Sequence, residues 1–385
     1  MPGGYHGIEF PGHFGPFGVH DWTDRGQRSN AVLTATTYID RVEYTGDQKF
    51  MKTKAYPFLI MVLDFFGDYM IQINSSTAKD GYIWTSPDDC SMERCLGAPD
   101  AAEYNPIVTM GCLHRVLTST LSFSIQLNVD SQRRVLWNDI LTHLPPLART
   151  VDPGADNRLV FAESTKPKSI FGANSWFPLD YFASLHPGSG LGRRTSDPSI
   201  MKIALNTVEG INRMNDWIPL SGMQMAWIGA VRAGCNGTDL LNRARTILSN
   251  QTIFYPNFYP LTGGGGLEQA GVTLAINEML IQSHEGFLSF FPVWPILTHP
   301  AKFKSLRTVG AFLVDASSDP LNGVTGVKLK SINGGVLRLE SPWLGCKLIE
   351  AIDSKGDIHS MRKESDSLWR FTTVVGEVYS ISCVP

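Results

Sequence analysis

What this chain lacks narrows its function before any motif is read. No cluster of basic residues stands out, and 33 Lys and Arg against 36 Asp and Glu leave a formal net charge of −3. A nucleic-acid or anionic-membrane footprint is therefore not expected. No apolar run reaches the roughly 20 residues that cross a bilayer, so no membrane insertion is expected either. The first thirty residues are rich in Gly, Pro, His and aromatics, with no basic n-region and no apolar h-region. They do not read as a signal peptide, and the compartment stays open. Six cysteines are too few and too scattered for a disulfide framework. Cys90, Cys95, Cys112 and His114 also lack the CxxC spacing of a zinc site, so no metal is expected. Sequons at Asn74, Asn236 and Asn250 point only weakly to secretion.

What is present is a large apolar fraction, 43% of 385 residues, enough to bury a sizeable core in two or three domains. Up to about residue 300 the periodicity is helical. Helices are expected over Asn30–Tyr44, Lys49–Ile73 (Pro57 in its first turns or at a kink), Pro106–Leu127 and Gln132–His143. Further ones follow at Pro198–Asn215 with Asp197 as N-cap, Ser221–Ala233, Asp239–Ser249 and Leu267–His284. These eight form consecutive pairs without βαβ alternation. The long segments between them, 75–103, 145–197 and 251–266, are where a helical scaffold carries binding and catalysis. After about Ser305 the period falls to 2, with seven short strand candidates separated by turns such as Asn322-Gly323 and Lys355-Gly356. A compact β-sandwich over residues 305–385 is expected, best read as a packing module.

The most informative stretch is GGGGLEQAGVTLAINEMLIQSHEGFLSFFPVWP, residues 263–295. Four glycines admit close backbone approach, and Glu268 follows at the start of a nearly all-apolar helix. A polar stripe of Gln269, Thr273 and Asn277 at i, i+4 spacing marks a face toward a cavity or a partner. INEMLIQSHEGFLSFFPVWP resembles the end of the catalytic barrel of glycoside hydrolase family 95, the α-L-fucosidases. VEYTGDQKFMKTKAYPFLIMVLDFFGDYM, GYIWTSP and LHPGSGLG resemble other segments of that family in the same order, so the likeness is collinear over most of residues 22–316. It implies a mainly α fold: an (α/α)6 toroid of six-hairpin type over residues 1–304, then the β-domain. Such a toroid has twelve helices where eight are countable, and nothing matches the family's large N-terminal β-domain. The chain therefore reads as a toroid incomplete at its N-terminus, a fragment or a differently closed barrel.

Hydrolysis of a glycoside needs two carboxyl groups flanking the bond, one protonated as acid and one ionised as base. The resemblance places the family's acid in TSPDDCSMERC, where Glu93 is the candidate and Asp88 and Asp89 are the alternatives. By itself Glu93 would read as a solvated loop carboxylate. Glu268 is the candidate base, assuming that it replaces an Asp which an ungapped alignment puts at Leu267; its bland alternative is a helix-dipole Glu worth about 0.3–1 kcal/mol. Trp84 and Trp176 are candidates for stacking on a sugar ring, each as well placed to be core. Asp180 and His186 are candidate polar contacts, and Asp180 stands where the family carries a substrate-contacting His. Glu278 reads as a buried, paired structural acid and His284 as a capping or packing histidine. The family's asparagine pair before the first hairpin has no counterpart. His6, Glu9, His13, His20, Asp21 and Asp24 crowd that region, either at a pocket mouth or as a solvated leader.

The leading reading is an inverting exo-glycosidase without metal or organic cofactor, acting on a terminal α-L-fucoside or α-L-galactoside of an oligosaccharide or glycan. The alternatives are a non-catalytic carbohydrate-binding homologue and an α/α-toroid polysaccharide lyase using Tyr181 or His186. A lyase would release an ultraviolet-absorbing unsaturated sugar and a hydrolase would not.

Overall fold

The computed structural model describes residues 4–11, 13–14, 20–21, 26–91, 104–152, 154–155, 157–165, 179–215, 226–250 and 270–384. A two-residue hairpin, β1 (His13–Phe14) with β2 (His20–Asp21), precedes α1 (Ser29–Thr45). Ala31, Val32, Ala35, Ile39 and Val42 give α1 one buried face. Gly46 ends it in the left-handed region, φ 64°, with its N–H on the Val42 carbonyl. A Cβ at Gly46 would meet the Asn333 amide at 2.0 Å, so glycine is required there for space as well as for conformation. Asp47 caps α2 (Gln48–Phe50) by accepting from the Phe50 amide at 2.8 Å. A π-helical turn, Met51–Ala55, leads into α3 (Tyr56–Tyr69), with Pro57 in the first turn, where its missing N–H costs least.

The chain then leaves the helical period. β3 (Ile71–Asn74) and β4 (Tyr82–Thr85) form an antiparallel hairpin. The helices α4 (Ile107–Leu127) and α5 (Arg133–Thr142) follow, then the hairpin β5 (Arg149–Val151) and β6 (Leu159–Phe161). After these come α6 (Leu179–Phe182), α7 (Pro198–Asn215), α8 (Ala226–Ala233), α9 (Gly237–Asn250) and α10 (Gly271–Leu280). Two apolar cores result. Helices α1, α3, α4 and α5 share one, around Ile39, Leu59, Phe65, Phe66, Val116 and Trp137. Helices α6 to α10 share the other, around Phe161, Tyr181, Phe182, Trp227 and Met279. Each fully buried Leu or Phe in them contributes about 1.5–3 kcal/mol relative to exposure.

A short hairpin, β7 (Ile281–Gln282) with β8 (Ser289–Phe290), connects the helices to a sheet region. Its strands are β9 (Ala301–Thr308), β10 (Phe312–Asp319), β11 (Gly323–Ser331), β12 (Gly335–Glu340), β13 (Leu348–Ile352), β14 (Ile358–Ser360), β15 (Arg362–Lys363), β16 (Leu368–Thr373) and β17 (Val378–Val384). One antiparallel sheet has the order β14-β13-β17-β11-β10-β9 and a second the order β12-β16-β15. Both face a common core of Leu329, Leu337, Leu339, Ile349, Trp369 and Ile381. The sheet region is fastened to the end of α1. Gly310 N–H donates to the Glu43 carbonyl at 3.0 Å, and the Asn333 amide donates to the Thr45 carbonyl at 2.9 Å.

Several expectations need correction. Ile71–Ile73 is strand rather than the end of a helix, because β4 supplies a pairing partner that helical periodicity does not register. The helix expected over Leu267–His284 is described from Gly271 and stops at Leu280. There Ile281 turns extended and pairs with Phe290, while Leu267, Glu268 and Gln269 lie outside the described residues. The first strand of the two large sheets begins at Ala301, and Leu280, Ile281, Leu288, Phe290 and Phe291 already belong to the sheet core. Ile358–Lys363 splits between the two sheets. Cys346 and Cys383 form a disulfide, Cα–Cα 5.8 Å, and Cys90 is disulfide-bonded too, so the scattered cysteines do staple the chain and Cys90 offers no thiolate to a metal. No described helix is long and apolar enough to cross a membrane.

Candidate functional site

The direction of the helices decides where chemistry can sit. The backbone N–H of Arg28, one residue before α1, donates to Asp89 Oδ1 at 3.0 Å. The Asp89 carboxylate also lies beside the Thr109 side chain, in the first turn of α4. Thus α1 and α4 begin side by side. Two turns further on, Arg115 of α4 pairs with Asp40 at 2.7 Å and Glu43 at 2.8 Å in α1, so the two helices run parallel. Arg232 near the end of α8 grips Glu278 near the end of α10 through two hydrogen bonds, 3.1 and 2.7 Å. The C-terminal halves of α1 and α10 and the end of α8 line one cavity beside the sheet region. Their N-terminal ends, and that of α4, therefore point to the opposite rim, where helix dipoles present positive charge.

At that rim three segments are laced together. Ser86 N–H donates to the Asn105 side chain at 2.9 Å, and the Asn105 N–H returns to the Ser86 carbonyl at 3.2 Å. Asp89 accepts from Ser86 Oγ at 2.9 Å and from Cys90 N–H at 2.8 Å. The Glu163 carbonyl accepts from Ile107 N–H at 2.7 Å and from Ser91 Oγ at 3.3 Å, while its carboxylate accepts from Tyr181 Oη at 2.7 Å. Asp89 and Glu163 are both buried. Burial raises the Asp89 carboxyl to about 6 in spite of its donors, so near neutral pH it exchanges a proton. Its lone pairs are engaged by protein groups, which makes it a fastener of the loop rather than a group open to substrate.

The sequence candidates distribute unevenly. Glu93, Glu268 and Trp176 lie outside the described residues, as does the side chain of Asp180, whose backbone is in α6. What is described is the root of each loop. Segment 92–103 leaves after Ser91 and returns at Tyr104, and segment 166–178 leaves after Thr165. Thr165 N–H donates to the Tyr104 carbonyl at 3.0 Å, so the two loops share one root. Glu268 lies two residues before Ala270, at the start of α10.

Trp84 lies on β4, outside the laced rim segments. It is partly buried against the first helical core, and its indole N–H donates to Asp139 at 2.8 Å. Tyr82 donates to the same carboxylate. His186 belongs to the other end of the helices. It lines the cavity of about 400 Å³ together with Asp40, Tyr44, Arg232, Asn277, Glu278 and Arg307. Burial, with Arg232 and Arg115 nearby, holds its pKa well below the usual range, so the ring is neutral. The cavity's acids are paired, Asp40 with Arg115 and Glu278 with Arg232. Glu278 is thus a paired structural acid. Glu9 pairs with Arg28, and Ile8 N–H meets the Met61 carbonyl at 3.0 Å, so residues 8 and 9 pack on the helices rather than forming a solvated leader.

Reading the sequence did not find Glu163 or the fastening role of Asp89. The signal available was slight: an acid closing the apolar run LVFAES, and a Ser three residues before an Asp.

Residues 12–155 match the glycosyl hydrolase family 95 catalytic domain. That segment is thus similar to a glycoside hydrolase catalytic domain. The segment contains Glu93 and Asp89. No curated protein matches the sequence. A solved structure described as a kojibiose phosphorylase from human microbiome is similar at 10% identity, with 89% of this chain and 44% of that one covered and a TM-score of 0.40. The chain thus spans less than half of that relative's length, and the superposition is too loose to argue from.

Proposed function

We propose that this chain carries the active-site half of an inverting exo-glycosidase acting on a terminal α-L-fucoside, or the stereochemically similar α-L-galactoside, of a glycan. The supporting observation is the shared rim. Glu93 lies inside the family match, the described roots of its segment and of the Trp176 segment meet at Tyr104 and Thr165 at the end where α1 and α4 begin, and Glu268 precedes α10 by three residues in sequence. In this reading Glu93 protonates the departing oxygen while Glu268 removes a proton from water on the opposite face of the sugar. Their carboxyl groups stand roughly 6.5–9.5 Å apart to admit that water. The positive start of α10 favours an ionised Glu268. Trp176 and Asp180 contribute a ring face and a polar contact to the sugar. The reading needs no metal or organic cofactor.

The test is the anomer first released from an aryl α-L-fucoside, followed by proton NMR with the whole protein. Initial appearance of the β-anomer supports inversion. Initial α-anomer, or an unsaturated product absorbing in the ultraviolet, overturns the mechanism.

A further inference from the structure

We propose that Asn74 is an N-glycosylation site, on a chain that folds in an oxidising secretory lumen. Three observations converge on it. Asn74-Ser75-Ser76 is a sequon. Asn74 is the last residue of β3, its side chain is exposed, and no hydrogen bond from a described residue holds its carboxamide. Ser75 N–H closes onto the Gly81 carbonyl at 2.9 Å, so residues 75–81 project as a turn with the Ser76 side chain also exposed. The third observation is independent of the sequon. Cys346 is bonded to Cys383 and Cys90 is bonded as well, and such bonds persist in compartments that do not reduce them. Glycan transfer to asparagine takes place in a lumen of that kind.

The geometry separates this sequon from the one at Asn236. The Asn236 side chain accepts from the amides of Thr238 at 2.8 Å and Asp239 at 3.3 Å, so it is occupied as the cap of α9. The Asn250 side chain lies outside the described residues. In the transfer the Asn74 amide nitrogen bonds to C1 of an oligosaccharide carried on a lipid diphosphate. The C1–O bond breaks, the lipid diphosphate leaves, and the amide loses one proton. The physical benefit is local. Among the described residues β3 and β4 pair only with each other, leaving the outer edge of β3 without a described partner, with Ile71 and Ile73 exposed along it. A bulky polar glycan at Asn74 blocks strand addition there.

The experiment is secretion of the full chain from a eukaryotic host, followed by peptide mapping with and without peptide N-glycosidase in isotopically heavy water. The expected result is a heavy-labelled Asp at position 74, with the loss of that glycan in Asn74→Gln and in Ser76→Ala, which leaves the asparagine itself in place. The unreduced map should contain the Cys346–Cys383 peptide pair. A secreted, disulfide-bonded chain with unmodified Asn74 overturns the site. Free Cys346 and Cys383 thiols in the secreted chain overturn the compartment argument.

Discussion

Thr165 and Tyr104 are joined by a 3.0 Å backbone hydrogen bond, which ties the segment carrying Glu93 to the segment carrying Trp176 at a single point of the rim. Two loops separated by tens of residues in sequence are thereby made neighbours in space. At that rim the starts of α1 and α4, the Asp89 fastener and the loop roots meet.

The pair of proposed acids should separate cleanly by leaving group. Glu93→Gln should cost about 10²–10⁴-fold in kcat on alkyl glycosides and little on nitrophenyl glycosides, whose oxygen needs no proton. Glu268→Gln should abolish turnover on both, with azide restoring part of it by replacing the activated water. Equal losses for Glu93→Gln across leaving groups would remove it from the acid role.

Asp89 gives a stability signature of defined sign. Its folded pKa, about 6, is above the unfolded value, so between about pH 4 and 6 the native state holds the extra proton. Its contribution is therefore present below the unfolded pKa and lost as pH rises through about 6, on the order of 2–3 kcal/mol. Asp89→Asn keeps an acceptor for the Arg28 amide but cannot titrate. Urea midpoints for the two proteins should converge in favour of the variant as pH rises from 4 to 7, and a pH-independent gap between them would contradict the burial argument.

The histidines work in the opposite direction. His284 is neutral when folded, its pKa driven well below the usual range by burial and then by Arg232, and both ring nitrogens lack hydrogen-bond partners among the described residues. Unfolding lets the ring take a proton below its ordinary pKa of about 6.5, so this contribution is present above that pH and lost as pH falls. His284→Phe removes the buried unpaired nitrogens. It should be neutral or stabilising at pH 7 and should flatten the acid side of the melting-temperature profile. A loss of several degrees at pH 7 with an unchanged acid slope would show that the ring is held by something else.

Glu278 tests whether the cavity's charge pairs are structural. Glu278→Ala strands Arg232, which is 4% exposed, and should cost about 3–5 kcal/mol. The double variant Arg232→Met with Glu278→Leu should recover most of that, since no buried charge remains. Chemical denaturation of the two variants decides it. A double variant no better than the single would mean that the guanidinium's bonds to the Leu185 carbonyl, 2.9 Å, and Ser189, 2.9 Å, carry the packing instead.

Periodicity in the sequence determined the helices that pack by one face: Ala31 to Val42 in α1, the apolar run of α3, and the Asp197-Pro198 start of α7 are all local patterns. It also determined the change to strands before the last eighty or so residues, because alternation with Asn-Gly and Lys-Gly turns is a local signal. The Glu278 pairing was legible too, since an acid in so apolar a helix requires a cation. Tertiary structure decided what depends on a distant partner. Ile71–Asn74 is strand only because Tyr82–Thr85 returns to it. His186 faces the sheet-side cavity only because Arg115 and Arg232 draw the Leu185–Ser189 backbone toward the C-terminal halves of their helices. Trp84 is spent on Asp139, and Asp89 is a fastener because α1 and α4 start beside it. Burial, and with it pKa and availability for chemistry, is set by neighbours that no window of sequence contains.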